Sequence, residues 1–125
     1  MEPIRLTGTD DCPEVILDPS TGEFKFSGKS LPEDVKEFYL PILDWIEEYV
    51  KKPIDETIVE FKMEYFNSAS SKQILDVLEH FAKVNETGKK IKVNWLYIED
   101  DEDMAEAGES YSDIVDIPFE ITPYE

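Results

Sequence analysis

The sequence predicts an α/β protein: a single domain with a mixed, mostly parallel sheet, an amino-terminal antiparallel hairpin and three helices. Two features of the pattern carry that expectation. Runs in which apolar residues alternate with period two are interleaved with runs in which they recur at three and four residues. Junctions rich in serine, proline or glycine separate the runs, and 125 residues are enough for one core but not two.

Met1 to Asp11 carry little pattern. Glu14-Val15-Ile16-Leu17-Asp18 then reads as a short strand, Pro19-Ser20-Thr21-Gly22 as a turn, and Glu23-Phe24-Lys25-Phe26-Ser27 as a second strand. The pair predicts an antiparallel hairpin. Ser30-Leu31-Pro32-Glu33-Asp34 opens the first helix, with the cap expected at Ser30 or Leu31, proline in the first turn and acids at the positive end of the dipole. Its buried stripe is Val35, Phe38, Tyr39, Ile42, Ile46 and Tyr49, flanked by Leu43, Trp45 and Val50. Pro41 within this stripe predicts a kink or two abutting helices.

Thr57 to Tyr65 alternate as a strand whose inward face is Val59, Phe61, Met63 and Tyr65. A second helix follows, with Ile74, Leu75, Leu78, Phe81, Ala82 and Asn85 inward and Gln73, Asp76, His80 and Lys83 outward. Thr87-Gly88 supplies a stop. Ile91 to Ile98 alternate at first and then become continuously apolar, as a strand covered on both faces near its end would. Tyr111, Ile114 and Val115 predict the inward face of a third helix. Ile117 to Ile121 form a last strand, placed at an edge or begun at Pro118 because proline donates no ladder hydrogen bond. Strands alternating with helices imply parallel pairing through right-handed crossovers.

Asp and Glu number 30 against 12 Lys and Arg, a formal net charge of −18. Such a surface repels nucleic-acid phosphates and anionic membranes, so partners should be proteins with basic patches. Apolar residues make up 41% of the chain in periodic segments, so the acidity belongs to a folded surface. A lone Cys12 excludes an intramolecular disulfide. No stretch resembles a signal peptide or a membrane span, which makes the cytoplasm the expected compartment.

The stretch richest in chemistry is Tyr65-Phe66-Asn67-Ser68-Ala69-Ser70-Ser71-Lys72, between a strand and a helix. Ser70 as cap and Gln73 three residues later fit a capping box, which leaves Ser68 on a loop just outside the helix. A hydroxyl there is open to a kinase and lies near the positive end of the dipole. The same residues also read as ordinary capping and turn chemistry. A third reading has Ser70, Ser71 and Lys72 holding the phosphate of a small ligand or nucleotide at the helix amino terminus. Spacing alone does not separate Ser68 from Ser70 or Ser71 as an acceptor.

Other constellations say less. The acidic run Glu99 to Glu106 lacks the glycine and ligand spacing of an EF-hand, so no metal is expected and a solvated helix start is the better reading, with a docking surface for a basic partner ranked between the two. His80 falls on a polar stripe with no nucleophile paired to it, and Cys12 lacks a nucleophile motif. Neither a P-loop nor a GxGxxG cradle is present. No catalytic residue and no cofactor are therefore assigned.

The chain resembles the SiaC family of bacterial regulatory phosphoproteins over nearly its whole length. The residues that carry the likeness are Pro13-Glu14-Val15 with Asp18-Pro19-Ser20-Thr21-Gly22, Glu64 to Lys72, Val93-Asn94-Trp95, and Asp100 to Glu109 with Asp116-Ile117-Pro118-Phe119. The resemblance implies a fold related to the STAS-type anti-sigma-factor antagonists. It also implies that the hydroxyl directly after Glu-Tyr-Phe-Asn, here Ser68, is the phosphoacceptor. This chain carries serine where the family pattern has threonine, and Ala69 replaces a hydroxyl residue. The implied partners are a serine/threonine kinase of anti-sigma type, a PPM-type phosphatase, and an effector bound by the unmodified form. In at least part of the family that effector is a diguanylate cyclase. Tyr65, Phe66, Asn67, Ser68, Ser70, Ser71 and Lys72 are the expected partner-binding residues.

Overall fold

The computed structural model describes residues 1–125. Six strands and three helices follow in the order β1 (Ile4–Leu6), β2 (Glu14–Asp18), β3 (Glu23–Ser30), α1 (Val35–Tyr49), β4 (Glu56–Phe66), α2 (Ser68–Ala82), β5 (Lys90–Ile98), α3 (Glu102–Ile114) and β6 (Phe119–Tyr124). A short 3₁₀ helix, Lys83–Thr87, extends α2 and stops at Gly88, whose φ of 82° is the left-handed conformation glycine adopts freely. The strands lie side by side in chain order, β1-β2-β3-β4-β5-β6. β1, β2 and β3 pair antiparallel, and β3 through β6 are parallel.

That order decides the layering. Three right-handed crossovers that all step the same way along a sheet place their helices on one face. The burial pattern agrees: Val15, Leu17, Phe24, Phe26, Val59, Phe61, Met63, Ile91, Val93 and Trp95 are buried, while the residues between them are not. Tyr39, Ile42 and Ile46 of α1 and Ile74, Val77, Leu78 and Phe81 of α2 close over them as one core of 24 buried residues. Each large apolar side chain so enclosed contributes about 1.5–3 kcal/mol. Phe26 and Phe61 stack at 4.9 Å, and Phe61 and Trp95 at 5.3 Å, so an aromatic row runs across the middle strands.

Several expectations change at the ends of elements. Asp34, not Ser30 or Leu31, caps α1 by accepting from the Glu37 N–H, while Ser30 is the last residue of β3. α1 runs through Pro41 as one continuous helix. Pro41 is exposed, so the carbonyl left without its hydrogen bond faces water. Leu96 is only half-buried and Ile98 is 39% exposed, because both lie on the face opposite the helices, whereas Tyr97, on the helix-covered face, is half-buried against the core at the strand's end. On α3 it is Met104, Gly108 and Tyr111 that face inward, whereas Ile114 is 61% exposed. The last strand begins just after Pro118 and forms the sheet edge. The opposite edge, β1, has no counterpart in the sequence reading. No helix is long and apolar enough to cross a membrane.

Candidate functional site

The candidate site is the junction between β4 and α2, and its shape begins one strand away. Along the β3–β4 ladder the register passes from Gly28↔Met63 to Lys29↔Tyr65, so Glu64 is an extra residue on β4. Gly28 at φ 96° accommodates this bulge. One extra residue reverses the alternation that follows. Tyr65, expected in the core, is therefore turned outward and is 50% exposed. Phe66 points inward, with its ring 6.3 Å from Trp95 and 6.4 Å from Tyr111.

Asn67 then caps α2. Its Oδ1 accepts from the Ser70 N–H at 2.9 Å and its carbonyl from the Ser71 N–H at 2.9 Å, while its own N–H donates to the Ser30 carbonyl at 3.2 Å. The Ser70–Gln73 box does not form, and Ser68 is the first residue of the helix, not a loop residue. The choice follows from Ser70. Its side chain is drawn inward, where its Oγ accepts from Ser30 Oγ at 2.9 Å, and it cannot also reach forward as a cap. Ser30 Oγ in turn lies 2.7 Å from the buried Tyr39 hydroxyl. Burial pushes the Tyr39 phenol up to about 12.

Three hydroxyls that look alike in the sequence thus have different fates. Ser70 is fully buried. Ser71 is half-buried: the Tyr111 hydroxyl donates to its carbonyl at 2.8 Å, which leaves Ser71 Oγ to donate to Tyr111 at 2.9 Å. Burial raises the Tyr111 phenol as well. Ser68 alone is exposed and makes no side-chain hydrogen bond. At the first two helical positions, the N–H groups of Ser68 and Ala69 have no carbonyl within the helix to bond. Lys72, one turn on, is exposed and forms no ion pair. Ser30, Tyr39 and Tyr111, which sort these serines, were not recognisable beforehand, since they lie up to 40 residues away in the chain.

The remaining candidates are structural. Asp101 caps α3 by accepting from the Met104 N–H at 3.0 Å, with Glu102 and Asp103 in the first turn. The acidic run is thus a helix start favoured by the dipole. His80 is half-buried, its Nδ1 2.7 Å from the Asp76 carbonyl, which fixes the tautomer with the proton on Nδ1.

Fold and junction together define a two-layer α/β protein that presents one free hydroxyl at a helix start. Residues 6–124 match the family described as SiaC family regulatory phosphoprotein, and the chain belongs to that family. An uncharacterized protein of Pseudomonas aeruginosa (strain UCBPP-PA14) is 24% identical over 128 residues, covering 100% of this chain and 99% of its own. The crystal structure of apo-SiaC from Pseudomonas aeruginosa has the same fold, with a TM-score of 0.86 at 24% identity over 98% of this chain and 99% of that one. So does a chain in the crystal structure of the diguanylate cyclase SiaD in complex with its activator SiaC, from the same organism. Its TM-score is 0.89 at 24% identity, over 97% of this chain and 99% of that one.

Proposed function

We propose that this chain is a non-enzymatic cytoplasmic adaptor, switched by reversible phosphorylation of Ser68, whose unmodified form binds and activates an effector protein. The observation that carries the reading is the contrast among the three hydroxyls: Ser68 is exposed, whereas Ser70 and Ser71 are held by Ser30 and Tyr111. A kinase needs the acceptor oxygen free. Membership of a regulatory phosphoprotein family supports the reading. The relative that activates the diguanylate cyclase SiaD supports a diguanylate cyclase as the effector. A serine/threonine kinase of anti-sigma type and a PPM-type phosphatase would set the state of Ser68.

The energetics favour a local switch. A phosphate adds about −1.5 to −2 charges at neutral pH, a small increment on a net charge of −18. Its effect comes from placing a dianion where a partner packs on Tyr65 and the first turn of α2. An uncompensated charge in an interface costs about 2–5 kcal/mol, or about thirty-fold to several-thousand-fold in affinity. The free N–H groups of Ser68 and Ala69 and the helix dipole stabilise the phosphate by about 0.3–1 kcal/mol. Phosphorylation is thus tolerated by the fold while it excludes the partner. The alternative, a ligand phosphate held by Ser70, Ser71 and Lys72, loses both hydroxyls to internal bonds.

The test is effector affinity, measured by calorimetry with unmodified and stoichiometrically phosphorylated protein. A loss of at least thirty-fold is expected on phosphorylation, and equal affinities would end the proposal.

A further inference from the structure

The bulge at Glu64 does more than expose Tyr65. It opens a groove of about 330 Å³ between the end of β4 and the start of α3. That volume is at the low end of ligand pockets, suited to one long side chain. Its apolar lining is Phe66, Met104 and Ala107, with the Tyr65 ring as a wall. Glu64, Asp101 and Asp103 also line it. None of these three carboxylates takes part in any of the chain's ion pairs. Burial, and then the charges of Glu64 and Asp101, push the Tyr124 phenol up, so both carboxylates act on the same small region.

Resting on the reading of this junction as the effector-facing surface, we propose that the groove receives an arginine side chain from the partner protein. The aliphatic stem would run along Phe66 and Met104, the guanidinium plane would stack on Tyr65, and its donors would meet the three carboxylates. Arginine fits better than lysine because its guanidinium is planar, weakly hydrated and able to pair two carboxylates while stacking. The charge agrees with such a partner, since a protein of net charge −18 steers basic segments toward it. The groove ends at Phe66, two residues before Ser68, so a phosphate there would obstruct the backbone that carries the occupant. That steric effect, not its charge, which attracts a guanidinium, is what would exclude the partner.

The experiment is a titration of the full, unmodified ¹⁵N-labelled chain with N-acetyl-arginine methylamide, followed by amide chemical shifts. N-acetyl-citrulline methylamide, the neutral isostere, is the control. Arginine should shift Tyr65, Phe66, Met104 and Ala107, and citrulline should not. The double variant Glu64→Gln, Asp103→Asn should bind about five- to ten-fold more weakly. Both positions are exposed, so the fold should persist, and Asp101 is left in place because it caps α3. Tyr65→Ala should weaken binding with the charges intact. Equal shifts with citrulline, shifts spread over other acidic helices with none in the groove, or unaltered affinity in the double variant would overturn the proposal. Ser68 plays no part in this readout, so its outcome and that of the phosphorylation test are independent.

Discussion

Replacing Gly108 with alanine should detach α3 from the sheet and destabilise the protein, although alanine is the better helix former. A Cβ at Gly108 would lie 2.5 Å from Trp95 Cδ1, 2.8 Å from its Nε1 and 2.9 Å from its Cγ. No real Cβ contact is so close, and the fully buried indole is wedged against Phe61, Phe66 and Tyr111. Helix propensity alone would stabilise the variant by about 0.5–1 kcal/mol. Overpacking costs about 1–3 kcal/mol. If the indole moves, its Nε1 hydrogen bond to the Met104 carbonyl, 2.9 Å long, is lost, at about 1–3 kcal/mol for a buried donor. The net expectation is a loss of about 2–3 kcal/mol, or about 10 °C in melting temperature. Urea unfolding gives the stability, and the Trp95 indole proton resonance reports the local change. A variant as stable as the wild type, or more so, with an unshifted indole signal, would refute the close packing of α3 on Trp95.

The junction and the hairpin yield further expectations. Asn67→Ala removes the α2 cap and should cost about 1 kcal/mol, and Ser70→Ala should cost about 1–2 kcal/mol by leaving Ser30 Oγ short of an acceptor. Ser68→Ala should change stability by less than about 0.5 kcal/mol; urea midpoints of the three variants check the ranking. Hydrogen bonds from the Ser20 side chain, then Arg5, hold the Asp18 carboxyl below its ordinary value. Its contribution is therefore full above the unfolded carboxylate range, near pH 4, and is lost as pH falls through the lower folded value. Asp18→Asn should accordingly flatten the acid limb of a plot of urea midpoint against pH, and an unchanged limb would count against that pairing.

The parallel strands, the hairpin and the amphipathic faces were legible because each is a local period: Val59, Phe61 and Met63 declare a strand without reference to anything else. Asn67 and Ser70 are both acceptable caps by local chemistry, and the choice between them depends on Ser30, which arrives through the β3–β4 pairing. Tyr65 continues the strand's alternation, yet faces outward because Gly28 on the neighbouring strand accommodates an extra residue. β1 was missed because only three residues pair at an exposed edge, too few for a period to show. The junction was thus recognisable from sequence as a strand-to-helix turn rich in hydroxyls, whereas the separation of its three serines required tertiary contacts.

We propose Ser68 as the residue through which this protein is controlled. The most direct measurement is phosphopeptide mapping after incubation with the cognate anti-sigma-type kinase and ATP, on the wild type and Ser68→Ala in parallel. One phosphate on Ser68 and none in the variant is the predicted result. Phosphate on Ser70 or Ser71, or the same modification in both proteins, would contradict it.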